Sequence, residues 1–236
     1  MEEVLKIANS HSLWPIWALS NELDGEIPNI PPEDEYAWVL ISNQHPMSID
    51  NQLKSLLDRI GSNVPKNIEQ TITINQAKGP VYIDSTALIA PSSHFEGPCY
   101  IGPYSEIRHG AYIRPNSWIC SHAVVGHASE IKRSLLLPKS KAPHFNYVGD
   151  SILGSNVNLG AGCKVSNLRL DGKEVNLRVN DKKMCSGLRK FGALLGDHVE
   201  IGCNVVTNPG VILGTNSSVS PNITVTGVYP EHTKLR

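Results

Sequence analysis

A six-residue period runs through most of the chain and leaves little choice of fold. From Ile83, every sixth residue is large and apolar: Ile83, Ile89, Phe95, Ile101, Ile107, Ile113, Ile119, Val125, Ile131 and Leu137. Four residues after each of the first eight stands a small residue: Ala87, Ser93, Cys99, Ser105, Ala111, Ser117, Ala123 and Ser129. An amphipathic helix repeats every 3.6 residues and a two-faced strand every 2, so neither explains this pattern. A strict hexad predicts a parallel β-helix with a triangular coil, each hexad giving one short strand and one corner. Three hexads close a coil of 18 residues. The large residues fill the axis, and coils stack at the strand spacing of about 4.8 Å. No coil buries its inner face alone, so several must stack.

The period resumes at Leu153, Leu159 and Val165, and again at Leu195, Ile201, Thr207, Leu213, Val219 and Val225. Leu137 and Leu153 differ by 16, which is not a multiple of six. Four residues within PKSKAPHFNY are therefore expected to leave the coil, as a loop near 138–148. Val165 and Leu195 differ by 30, which keeps phase. That phase would put Asp171, Lys183 and Arg189 on the axis, where an unpaired charge is prohibitive. Most of 168–192 therefore reads as a second extruded loop, a place where function tends to sit.

Residues 1–80 hold no hexads and three of the four Trp. Ile49, Leu53, Leu56, Leu57 and Ile60 have helical spacing, with Ser48 as N-cap and Gly61 at the stop. Tyr36–Ile41 reads as a short buried strand and EIPNIPPEDE as a loop. The expectation is a mainly β protein with two parts. A small α-rich appendage, 1–80, would cap the open end of a β-helix, 81–236.

Composition removes several functional classes. With 21 Lys+Arg against 22 Asp+Glu the net charge is -1, so nucleic acid is not the default partner. No run of 18 apolar residues exists to span a membrane. The start, MEEVLKIANS, is too polar for a signal peptide. The five Cys are scattered without CxxC pairs, which suits reduced thiols in a cytoplasm.

Coil spacing turns sequence into geometry. Arg114 and Lys132 differ by 18 and each follows an axial residue, so they share a corner on successive coils. Stacked cations repel. A bound dianion such as a phosphate would offset that, or Glu96, one coil earlier, would pair with Arg114. Arg108, Arg133, Lys139 and Lys141 add to a local positive field suited to an anionic small molecule. His144, in the first expected loop, is a candidate general base, histidine being the side chain that titrates near neutral pH. From the residues alone, an ordinary surface-loop histidine is the simpler reading. His109 and His127 differ by 18 and share a corner, with His122 five residues before His127. That spacing resembles the zinc histidines of hexad carbonic anhydrases, except that Thr86 stands where their third histidine would fall. Surface histidines are the simpler reading, and no metal site is assigned.

The stretch KAPHFNYVGDSILGSNVNLGAGCKVSNLRLDGKEV, 141–175, with SGLRKFGALLGD at 186–197, resembles the acetyltransferase domain of bifunctional sugar-1-phosphate nucleotidylyltransferase/acetyltransferases, in their archaeal flavour. The resemblance covers roughly 81–226, and its HxxYVGD segment with downstream Asn residues is its specific part. It implies a left-handed β-helix, a homotrimer, and acetyl-CoA as co-substrate with no metal. The implied activity is acetylation of an amino-sugar 1-phosphate, glucosamine 1-phosphate first. His144 would be the base, and Arg114 and Lys132 the phosphate cations. Tyr147, Asn158 and Asn167 would hold the sugar, and Lys173 would act from the long loop. Ala161, Cys203 and Pro221 would meet acetyl-CoA. Asn176 replaces a second loop lysine, Cys203 a common Ser, and Pro221 has no N–H to donate. Nothing in 1–80 resembles a nucleotide loop, so a uridylyl step would belong to a separate protein. The rival readings are a non-catalytic β-helix that binds nucleotide sugar or scaffolds such a partner, and a zinc hydratase using His109, His122 and His127.

Overall fold

The computed structural model describes residues 6–19, 24–179 and 182–236. Short strands stack into three eight-stranded parallel sheets, the walls of a left-handed β-helix. The first sheet runs from Thr73–Asn75 to Thr224–Val225, the second from Val81–Ile83 to Val228–Tyr229, the third from Leu88–Ile89 to Lys234–Leu235. The register Ile83↔Ile101↔Ile119 is the 18-residue coil read from the sequence. Ile101, Ile107, Ile113, Ile119, Val125 and Ile131 are fully buried along the axis.

The break after Ile131 is resolved differently from the expectation. No loop leaves the coil near 138–148. Lys141–His144 and Tyr147–Gly149 are strands of the third and first sheets. The coil instead shortens to 17 residues, with Ile119↔Leu136↔Leu153 and Ile131↔Val148↔Val165 in register. One residue is missing from each corner between the first and second sheets, after Ile131 and after Val148. Arg133 (φ 46°) and Asp150 (φ 48°) turn these tighter corners. Leu136, Ala142 and Val148 therefore fill the axis, and Leu137 faces outward.

After Lys164–Val165 the chain does leave the coil. It forms an antiparallel hairpin, Asn176–Val179 with Lys182–Cys185, and returns at Ala193–Leu195. Val175, Leu177 and Phe191 are buried against the N-terminal appendage, where the Phe191 ring lies 6.1 Å from that of Trp38.

The appendage contains α1 (Ser10–Leu13), α2 (Pro15–Leu19), a 3₁₀ helix (Ala37–Ile41) and α3 (Ile49–Ile60). The Ser48 hydroxyl caps α3 by accepting from Asn51 N–H (3.3 Å), and Gly61 ends it at φ 77°. Tyr36–Ile41 is not the strand expected. Its backbone groups are satisfied locally, Val39 N–H donating to Tyr36 C=O and Ser42 N–H to Val39 C=O. A short buried apolar run does not reveal its own period.

The appendage also sits elsewhere than expected. Trp14, Trp38, Leu40 and Leu53 pack on the outer face of the second sheet, against Tyr100, Trp118, Leu135, Ile152, Leu194 and Ile212. Only its last part, with Val64, Ile68, Ile72 and Ile74, packs against the axial core at the open end. The cause is compositional. At the matching outward positions the first sheet carries His94, Tyr112, Glu130, Tyr147 and Lys164, and only the second sheet presents a continuous apolar stripe.

Asp197 ties α2 to the coil, accepting from Ile16 N–H (2.9 Å) and Ser155 N–H (2.7 Å). Burial outweighs these bonds and pushes its carboxyl up to about 6. A folded-state value above the unfolded one favours the protonated folded form. This contribution is complete below about pH 4 and lost as pH rises through about 6, some 3 kcal/mol in all. Asp197→Asn, neutral at every pH, should therefore match the parent chain near pH 4.5 and gain on it as pH rises to about 7.5. A variant that loses ground to the parent as pH rises would refute this.

Candidate functional site

One corner, between the third and first sheets, stacks six residues of the sequence reading in a single column. Phe145 N–H donates to His127 C=O, Gly162 N–H to His144 C=O, Asn204 N–H to Ala161 C=O and Asn222 N–H to Cys203 C=O. Ala128 N–H reaches His109 C=O in the same way. His109, His127, His144, Ala161, Cys203 and Pro221 thus follow one another up the same edge. His144 ends the strand Lys141–His144 and is exposed. Gly126 lets this strand lie close, because a Cβ there would meet Pro143 O at 1.6 Å. Gly126→Ala should cost about 3 kcal/mol by forcing the two coils apart, read as a lower denaturant midpoint.

The His109 and His127 rings stack at 5.4 Å. Each Nδ1 faces a carbonyl one coil below, Pro91 O at 3.1 Å and His109 O at 2.7 Å. A carbonyl only accepts, so both Nδ1 atoms carry hydrogen, which in a neutral ring leaves Nε2 as the acceptor. His122 is on a different corner, stacked on Tyr104 and 3.4 Å from Asp24. The three histidines of the zinc reading are not brought together. Among the described residues no group of three or more His, Cys, Asp or Glu forms a metal-binding cluster.

The second assembly lies on the outer face of the first sheet. Arg114 and Lys132 share a corner on successive coils, as the spacing requires. Each, however, is matched by an acid. Arg114 Nη1 donates to Glu130 Oε1 (2.7 Å) and Lys132 Nζ to Asp150 Oδ2 (2.8 Å). Glu130, not Glu96, pairs with Arg114; Glu96 accepts from Tyr112 Oη (2.7 Å). Arg114 Nε is buried with no partner, an open donor. Asp150 is fully buried and also accepts from Arg133 Nη1 (3.2 Å) and Asn167 Nδ2. Tyr147 is half-buried beside Asn167. Burial, with Glu130 and Asp150 nearby, pushes its phenol up, while Arg114 and a hydrogen bond from Asn167 pull it back. Gly149 makes room, since a Cβ would meet Tyr147 Oη at 2.6 Å and Asn167 Nδ2 at 2.8 Å.

Two predicted residues lie apart. Asn158 is on the third sheet, donating to Glu200 Oε2 (3.2 Å). Lys173 is exposed in the long loop, its N–H donating to Asp171 Oδ1 (3.2 Å). Sequence reasoning missed Asp150 and Glu130, and took Arg133 only as part of the positive field. The signal for Asp150 was its spacing, 18 residues after Lys132 and 17 after Arg133.

A stacked-hexad β-helix with a histidine edge and an adjoining charged face defines a hexapeptide-repeat protein. The chain belongs to the GMPPB C-terminal domain family, whose model matches residues 95–229. It is 42% identical over 159 residues to a bifunctional sugar-1-phosphate nucleotidylyltransferase/acetyltransferase of Sulfurisphaera tokodaii, covering 67% of this chain and 39% of that one. It is 39% identical over 178 residues to the bifunctional protein GlmU of Methanococcus maripaludis, covering 75% and 42%. The chain thus spans about two fifths of these relatives' length. An uncharacterized acetyltransferase of Escherichia coli, YaiX, is 29% identical over 206 residues and matches 86% of this chain and 88% of its own.

Proposed function

We propose that the chain is an acetyl-CoA-dependent N-acetyltransferase acting on an amino-sugar 1-phosphate, glucosamine 1-phosphate first. The observation that carries this reading is the column that sets His144 in line with Ala161, Cys203 and Pro221, beside the face holding Tyr147, Asn167, Arg114 and Lys132. The names of relatives of both lengths support it. His144 takes a proton from the amine as nitrogen attacks the thioester carbon. The C–N bond forms, the C–S bond breaks, and the departing thiolate takes the proton from the imidazolium. Ala161, Cys203 and Pro221 border the path of the coenzyme. Arg114 and Lys132 receive the phosphate, while Tyr147 and Asn167 hold the sugar. Fixing both partners removes much of the barrier, because attack needs them about 3–3.5 Å apart.

Asn158 faces away from Tyr147 within one chain, which supports a homotrimer with sites between parallel β-helices. Lys173 acts from the loop. Five free thiols support a cytoplasmic setting, and no described helix is long and apolar enough to cross a membrane. Purified protein given acetyl-CoA and glucosamine 1-phosphate should release free CoA thiol. Absence of release across a panel of hexosamine phosphates would overturn the enzyme reading in favour of a scaffold for a separate uridyltransferase.

A further inference from the structure

The N-terminal appendage is joined to the charged face by a continuous buried network. Asp50, in the first turn of α3, accepts from Arg133 Nε (2.9 Å) and Nη2 (2.7 Å). Arg133 Nη1 donates to Ile41 C=O (2.8 Å) at the end of the 3₁₀ helix and to Asp150 (3.2 Å). The other oxygen of Asp150 takes Lys132 Nζ and Asn167 Nδ2. Arg133 is 9% exposed and Asp150 fully buried. Every guanidinium nitrogen of Arg133 is engaged, so it bridges two acids, one from the appendage and one from the coil.

Directly outside this network is a cleft of about 620 Å³, a volume within the range of small-molecule sites. Ser42, Asn43 and Gln44 of the appendage form one wall, Asn116 and Lys132 the floor, and the returning loop around Arg189 the other. It contains no aromatic ring on which a nucleobase could stack. Asp50, Asp150 and Glu174 also line it, but Asp50 and Asp150 are paired with Arg133 and Lys132, and with Arg189 and Lys190 the lining keeps more cations than acids, which with its amides suits a hydroxylated anion.

We propose that the appendage is part of the acceptor site. Asp50 and Arg133 are positioning residues that hold Lys132 and Asn167 through Asp150. Asn43 and Gln44 read the hydroxyls of a sugar phosphate in the cleft. The inference rests on the sugar-phosphate reading above, yet it is tested by binding and not only by turnover.

The experiment is calorimetry and steady-state kinetics on the full chain. The ligands are glucosamine 1-phosphate and glucose 1-phosphate, which lacks the amine. Asp50→Asn should weaken binding of both and raise the KM for glucosamine 1-phosphate about tenfold, the scale of one lost charge-assisted contact, while the KM for acetyl-CoA stays within about twofold. Asp50→Glu should recover part of the loss. The surface double variant Asn43→Ala, Gln44→Ala leaves the ion pairs intact and should weaken sugar-phosphate binding about tenfold, so misfolding of Asp50→Asn would not protect the proposal. Binding by the double variant equal to the parent overturns it, even if acetyl transfer is found. Equal losses for both KM values would overturn the positioning role. Binding of glucose 1-phosphate that depends on Asn43 and Gln44, with no acetyl transfer, upholds the cleft and sinks the activity instead. A parent chain that binds neither sugar phosphate overturns the proposal outright.

Discussion

His144→Ala is expected to cut CoA-thiol release at least about 100-fold while leaving the fold intact, the range for a lost general base. The strand Lys141–His144 is held through its backbone, and the His144 side chain is exposed, so the substitution removes an imidazole without opening a cavity. Changes at such positions stay within about 0.5 kcal/mol of stability. An alkylammonium is not a nucleophile, and the attacking amine must shed a proton as the C–N bond forms. Without a base at the corner, that proton goes to water. The loss should therefore fall on kcat, with binding of glucosamine 1-phosphate nearly unchanged, because the proposed reading gives the sugar phosphate to Arg114, Lys132, Tyr147 and Asn167. A variant that keeps parental kcat would remove His144 from the mechanism. His127 would then be the next candidate, since it is exposed on the same edge and its Nδ1 is held by His109 O.

The hexads made the architecture legible because an axial residue cannot hide its period: a polar side chain there is costly, so the sequence must repeat. The same logic located the excursion at 168–192, since Asp171, Lys183 and Arg189 have no place on an axis. It failed at 131–153 because a corner can lose one residue without losing its strands. A phase shift records that residues are missing or added, not which. Counting from Leu137 suggested insertion, whereas Leu136 is axial and two corners are short. The same slip concealed the pairing of Asp150 with Arg133, since a 17-residue coil sets Gly149 opposite Lys132 and Asp150 opposite Arg133. The docking face of the appendage was in principle readable. Tyr82, Tyr100, Trp118, Leu135, Ile152 and Leu194 precede axial residues of the second sheet only, and an apolar stripe outside a solenoid requires a cover. The 3₁₀ helix was not readable, because Ala37–Ile41 is apolar throughout and carries no periodic signal.

Asp150→Ala is expected to be the most destabilising single change on the charged face, about 3–5 kcal/mol. Asp150 has no exposed surface and accepts from Lys132, Arg133 and Asn167, so its removal abandons three donors at once. Arg133 keeps Asp50 and Ile41 C=O. Lys132, whose side chain is only 18% exposed, keeps nothing, and an uncompensated charge near the interior sets most of the cost. Asp150 also sits at φ 48°, a left-handed turn that Asp tolerates better than Ala. Asp150→Asn separates these causes. It keeps the turn and one acceptor oxygen but no charge, so it should lose about half as much. In thermal melts the Ala variant should fall by about 10 °C and the Asn variant by about 5 °C. Equal falls would assign the effect to the lost charge and not to the backbone turn, and a fall under about 2 °C for Ala would show that Lys132 and Arg133 do not depend on this carboxylate. Both variants should also raise the KM for glucosamine 1-phosphate, since Lys132 and Asn167 lose the group that orients them together.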